Sequence, residues 1–172
     1  MKTIRGFTIV ELIVCMGIVV VLSGVIFYAS LVMVERGRAT KCLGNLRQIG
    51  VGLNLYLADH QMTMPELAAG RSSREEEVTT VDTVLAPFLQ KGEVFSCPSD
   101  QVLYKKTGCS YYWNVMLNGQ SANSLNLLQF IEDKHRIPVV SDKEGWHRYV
   151  ENKVNLLFAD GHASQNVRFF SE

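Results

Sequence analysis

The side chains able to do chemistry in this 172-residue chain are four cysteines, four histidines and a scatter of aspartates. His60, His135, His147 and His162 are far apart, and no CxxC pair is present, so the spacing is not that of a zinc site. Asp100, Asp142 and Asp160, with His147 and His162, could serve a metal-dependent reaction. Against this, the acids lack the spacing of an EF-hand loop, and Asp160-Gly161 between two apolar runs already reads as a turn. No strand–turn–helix elbow frames a serine nucleophile. Tyr104-Lys105-Lys106 and Tyr111-Tyr112-Trp113 offer stacking and charge for a single-stranded nucleic acid or a glycan, although half the aromatics of a strand face its core. On these residues alone no catalytic group stands out.

The elements that must position these groups begin with a long apolar run. Residues 12–34 carry no charge. About 20 apolar residues cross the ~30 Å hydrocarbon core of a bilayer as a helix. The run exceeds the roughly 7–15 residues of a secretory signal core. Lys2 and Arg5 precede it and orient its N-terminus to the cytoplasm. The rest of the chain then lies in an oxidising extracytoplasmic compartment, where Cys97 and Cys109 are candidates for a disulfide. Closing a loop of that size contributes about 3 kcal/mol in the chain-entropy model. Glu11 is an acid at the edge of the apolar run, at headgroup depth or paired with a positive charge on a neighbouring chain.

Composition narrows the classes further. The chain is 47% hydrophobic and 20% charged, which excludes a disordered chain. Seventeen basic residues balance seventeen acidic ones, so nucleic acid is not an expected partner.

Beyond residue 34 the pattern changes. Leu43, Leu46, Ile49, Leu53 and Leu57 recur every three or four residues, with Arg36, Arg38, Lys41 and Arg47 mostly off that stripe. Nothing breaks the helix between Val34 and Arg36, so one helix of some fifty residues is expected. Residues 66–82 read as a polar surface loop or frayed helix, and residues 84–89 as a short helix or turn. Short β-rich runs follow at residues 94–97, 110–114, 137–141, 154–159 and 163–170. The last two are joined at Asp160-Gly161, a signal for a two-residue type I′ hairpin. The expected fold is α+β: a long N-terminal helix, membrane half plus amphipathic half, packed on a small antiparallel sheet of four or five strands.

The run Gly6-Phe7-Thr8-Ile9-Val10-Glu11, behind a basic leader and ahead of a membrane helix, resembles the processing site of type IV pilins and type II secretion pseudopilins. The segment Lys41 to Asp59 and the runs Val94 to Asp100 and Leu157 to His162 resemble a pilin-like subfamily. Its C-terminal signature has a histidine nine residues before an Asp-Gly; here twelve residues separate His147 from Asp160. Many family members carry a proline midway along the membrane helix, where this chain has Tyr28. Gly17 and Gly24 loosen a helix by only about 1 kcal/mol each.

The resemblance implies a pilin-like fold and a structural subunit, not an enzyme. It implies residues 1–6 as a prepilin leader, 7–34 as a transmembrane helix, 35–60 as its amphipathic continuation and 61–172 as an extracytoplasmic α+β domain. A prepilin peptidase would cleave between Gly6 and Phe7, and the Phe7 amine would be methylated. Glu11 would then pair with the Phe7 amine of a neighbour during assembly. The implied partners are other pilin-like subunits in a homo- or hetero-oligomeric filament, the inner-membrane assembly platform and the lipid bilayer. The implied location is the bacterial inner membrane, single-pass, with the globular domain periplasmic or, once assembled, at the cell surface. Loss of the leader leaves 15 basic against 17 acidic residues. Related major pseudopilins carry calcium, for which Asp100, Asp142 and Asp160 would be the hard oxygen ligands here; otherwise no cofactor is expected. The alternatives are a minor tip pilin binding a ligand or DNA, and a membrane-anchored metalloenzyme using His147, Asp160 and His162.

Overall fold

A computed structural model describes residues 8–89, 92–126, 133–149 and 152–165. Gly6, Phe7 and the C-terminal part of the expected strand at 163–170 lie outside them. The chain divides into two units, Met1–Val34 and Glu35–Glu172.

Helix α1 runs from Ile9 to Asp59 without a break, because no proline interrupts it. Its start is a capping box. The Thr8 amide donates to Glu11 Oε2 at 2.8 Å, and the Glu11 amide donates to Thr8 Oγ1 at 3.2 Å. In the first unit its large apolar side chains are exposed from Ile9 to Val34, the half-buried Val32 excepted. Its two serines return their hydroxyls to the helix, Ser23 to Val19 O and Ser30 to Phe27 O, both at 2.7 Å. That is how polar groups are satisfied where water is absent. By length and composition α1 can cross a membrane.

In the second unit the same helix becomes one-sided. Ala39, Cys42, Leu46, Ile49, Leu53 and Leu57 are buried, while Arg36, Arg38, Lys41 and Arg47 are exposed. The stripe recurs every three or four residues, as packing on one face requires. The helix stops after Asp59. Gln61 and Met62 take left-handed backbone angles, φ 54° and 58°, and the Met62 amide closes back on Leu57 O at 2.8 Å.

The stripe packs against a four-stranded antiparallel meander. The strands are β1 (Tyr111–Trp113), β2 (Pro138–Asp142), β3 (Leu156–Phe158) and β4 (Ala163–Ser164), in that spatial order. Tyr111 pairs with Asp142, Trp113 with Val140, Val140 with Leu157, and Leu157 with Ala163. β1 alternates, with Tyr111 and Trp113 inward and Tyr112 outward, whereas all three residues of β3 are buried. Gly50 lets helix and sheet approach closely: a Cβ there would stand 3.0 Å from Leu157 Cδ1.

Two expectations need correction, and one of two alternatives is settled. Residues 94–97 are not a strand; Gly92–Phe95 form a 3-10 turn. Val94, Phe95 and Cys97 are buried all the same. A short apolar run states burial, not conformation, and here Asn45 Nδ2 and the Ser110 amide take the carbonyls of Ser96 and Phe95, each at 2.8 Å. The β3–β4 hairpin is real, but its turn is not the two-residue type I′. Phe158 O accepts from the Gly161 amide and Phe158 N–H donates to His162 O, both at 2.9 Å, which encloses three residues. Only Gly161 has positive φ, +90°, the position where such a loop uses glycine. The polar segment 66–80 is the surface loop and not the frayed helix, and it is tied down. Ala68 bonds Thr79 O, Arg71 reaches Asp82 and Thr107 O, and Arg74 donates to the carbonyls of Tyr104 and Lys105. It leads into α2 (Val81–Leu85) and a 3-10 turn at Ala86–Phe88, close to the short helix expected there.

Candidate functional site

The domain interior holds an unusual set of polar side chains. Cys42 comes from α1, Cys97 from the segment after the 3-10 turn, Asp142 from the end of β2, and His147 from the loop that follows. All four are buried. The sequence brings none of them together, yet one ligand atom from each lies within 4.8 Å of the other three.

The contacts are specific. Cys42 Sγ donates to Asp142 Oδ1 at 3.1 Å and lies 3.4 Å from the Tyr111 hydroxyl. Asp142 Oδ2 accepts from the Asn155 amide at 2.7 Å and from Asn155 Nδ2 at 2.9 Å. His147 Nε2 stands 3.3 Å from Asp142 Oδ2, 3.7 Å from Cys97 Sγ and 2.7 Å from Asn155 Nδ2. His147 Nδ1 faces Glu35 Oε1 at 3.3 Å. Glu35 is fixed in turn by the Ser99 hydroxyl at 2.5 Å and by Arg38 at 3.5 Å. Asn155 Oδ1 is buried and has no hydrogen-bond partner.

The electrostatics follow from this crowding. Burial opposes charge on His147, but Asp142 and Cys97 outweigh it and raise its pKa to about 10. The neighbouring Cys42 side chain lowers the Cys97 pKa to about 6 against the cost of burial, and His147 adds to the effect. Cys42 itself is pushed far up, by burial first and then by its acidic neighbours. Burial likewise raises Tyr111. Cys97 is therefore the more acidic of the two thiols, and His147, held toward its charged form, stands beside it.

The expected residues are distributed as follows. Cys97 and Cys109 are both free. Cys97 turns to Cys42 and His147, while Cys109 Sγ contacts the backbone of Tyr111 in a separate pocket of the core. Burial pushes the Cys109 thiol up to about 12. The three aspartates are not gathered. Asp100 caps α3 (Leu103–Thr107), accepting from the amides of Val102, Leu103 and Tyr104. Asp142 is in the buried cluster. Asp160 lies in the exposed β3–β4 loop with His135 and His162. His147 and His162 therefore belong to different clusters. Of the aromatics, Tyr111 and Trp113 are core residues, Tyr112 is exposed with Lys143 over its ring at 5.2 Å, and Tyr104 carries Arg74 at 5.4 Å.

Glu11 is occupied in a second place, the start of α1, where its carboxylate accepts from the Thr8 amide and hydroxyl, each at 2.8 Å. The Thr8-x-x-Glu11 spacing is the sequence signal for that box. Compared with family models, with curated proteins and with solved structures, the chain matches none.

Proposed function

We propose that this chain is a structural filament subunit, a pilin-like or pseudopilin protein cleaved between Gly6 and Phe7 by a prepilin peptidase. The observation that carries the reading is α1. It is one 51-residue helix whose apolar half, residues 9–34, leaves all its large apolar side chains but the half-buried Val32 exposed. Such a surface needs lipid before assembly and other helices of the same kind afterwards. The Gly6-Phe7 motif ends one residue before Thr8, the cap that starts this helix, so cleavage there would leave one residue ahead of the cap. Phe7 would then offer an amine to the Glu11 of a neighbour, and the sheet domains would coat the filament. Lys2 and Arg5 place the N-terminus in the cytoplasm and the domain outside it, in a bacterial inner membrane. The filament serves secretion, adhesion, motility or DNA uptake.

The test is the N-terminal mass and sequence of the protein from native membranes, with and without prepilin peptidase. A chain beginning at N-methylated Phe7 only when the peptidase is present is the expected result. An intact Met1, or cleavage beyond residue 34, overturns it.

A further inference from the structure

Four potential ligands of three chemical types, two thiols, a carboxylate and an imidazole, meet in the domain interior from four stretches of chain. Tetrahedral zinc, with bonds of about 2.0–2.3 Å, holds its ligand atoms roughly 3.3–3.8 Å apart. Here one ligand atom from each of the four residues lies within 4.8 Å of the others, a slightly wider set; Asp142 meets Cys42 Sγ through Oδ1 at 3.1 Å and His147 Nε2 through Oδ2 at 3.3 Å, and Cys97 Sγ lies 3.7 Å from His147 Nε2. We propose that Cys42, Cys97, Asp142 and His147 form a structural zinc site that ties α1 to the sheet domain.

Three further features support the site. The first is charge. Asp142 is buried, and its contacts are Cys42, Asn155 and His147, with no lysine or arginine among them. His147 is the one of these contacts able to carry a positive charge, and Cys97 shares it; a buried charge left without an offset costs several kcal/mol. A divalent cation resolves that cost for the acid and for both sulfurs together.

The second feature is the histidine. A metal-bound imidazole holds its other nitrogen on a carboxylate, which fixes the tautomer and the ring. His147 Nδ1 faces Glu35, and Glu35 is itself held by Ser99 and Arg38. That leaves Nε2 directed at the sulfur and the carboxylate. Asn155 Nδ2 lies 2.7 Å from Nε2 and 2.9 Å from Asp142 Oδ2; zinc in that place requires it to leave Nε2 and keep its bond to Asp142 Oδ2.

The third feature is the donor set. Two sulfurs with imidazole and one carboxylate suit a borderline-soft ion and not calcium, which takes six to eight oxygens. All four positions of the tetrahedron are filled by protein and every ligand is buried, which is the form of a structural site, not a catalytic one. Binding releases the protons of the Cys42 and Cys97 thiols, and that of His147 Nε2 if it carries one; no electrons move. The inference does not depend on filament assembly.

The decisive experiment uses the full chain, purified in detergent without chelator and under mild reduction. Metal analysis should return one zinc per chain. Replacement by Co²⁺ should give the intense thiolate-to-cobalt absorption of a tetrahedral sulfur-bound ion, a readout that needs no variant. Cys97→Ser should abolish that band, whereas a His135→Ala/His162→Ala double variant, which removes the exposed cluster, should keep both zinc and band. Glu35→Gln should weaken zinc binding by roughly 10–100-fold in chelator competition while the band stays. Three results overturn the proposal: a folded chain that binds no zinc; cobalt bound without thiolate absorption; or a chain 2 Da lighter, with Cys42 and Cys97 joined as a disulfide.

Discussion

Cys42 and Asp142 are 100 positions apart in the chain, yet the thiol of one donates to the carboxylate of the other at 3.1 Å. This contact joins the buried face of α1 to the last residue of β2. Asp142 also holds both nitrogens of Asn155 and faces His147. Removing its carboxylate leaves the buried Asn155 amide without its acceptor and takes the acid from beside His147. Asp142→Ala should therefore destabilise the domain by about 3–5 kcal/mol. Denaturant unfolding with chelator present, followed through the fluorescence of buried Trp113, measures the polar network alone. A loss below about 1 kcal/mol would show that the network contributes little without metal.

Gly161 tests the hairpin. Its φ of +90° is costly for a residue with a Cβ, but the space around it is open: a Cβ there would meet nothing nearer than Asn54 Nδ2, at 3.8 Å. The cost of Gly161→Ala is thus backbone strain alone, about 1–2 kcal/mol. Gly161→Asn should cost less, because asparagine tolerates the left-handed region better. Equal losses for both, in the same unfolding assay, would place the constraint in side-chain space instead.

The helix was legible because its cause is periodic and local. Leu46, Ile49, Leu53 and Leu57 repeat at helical spacing, and they are the residues α1 buries. The hairpin at Asp160-Gly161 was legible as a reversal but not as a turn type, since one glycine serves both geometries. Residues 94–97 misled because burial and strand share a composition; tertiary bonds from Asn45 and Ser110 chose the 3-10 turn. The buried cluster was not legible at all. Zinc spacing in sequence means nearby ligands, whereas Cys97 and His147 are 50 positions apart and Cys42 lies on another element. The nearness of Cys97 to Cys109 along the chain instead suggests a pairing that their side-chain directions do not make.

Asp160 provides a pH dependence of known sign. Burial works against its charge, but hydrogen bonds from His162 and the nearness of His135 hold its pKa below the ordinary 3.8. A folded-state pKa below the unfolded one adds stability that is present above pH ~4 and is lost as the pH falls through the folded value. Asp160→Asn should flatten that acid limb and lower stability near neutrality by the same small amount, small because the site is solvent-screened. Thermal unfolding of both proteins from pH 6 downward checks this. Parallel curves would remove Asp160 as the source.

Glu11 has two separable jobs under the filament reading, and one substitution divides them. Within the chain it closes the capping box with Thr8, worth about 1 kcal/mol to the helix start. Between chains it would meet the Phe7 amine of a neighbour, which needs a negative charge in an apolar filament core. Glutamine can close a capping box as glutamate does, but it carries no charge. Glu11→Gln should therefore insert in the membrane and be processed like the natural chain, yet fail to assemble. Glu11→Ala should fail at assembly in the same way. Sheared-filament yield, normalised to processed protein in the membrane, reads the difference. Filaments from Glu11→Gln at the natural level, with none from Glu11→Ala, would assign Glu11 to the cap and not to intersubunit pairing; filaments from both would remove it from assembly altogether.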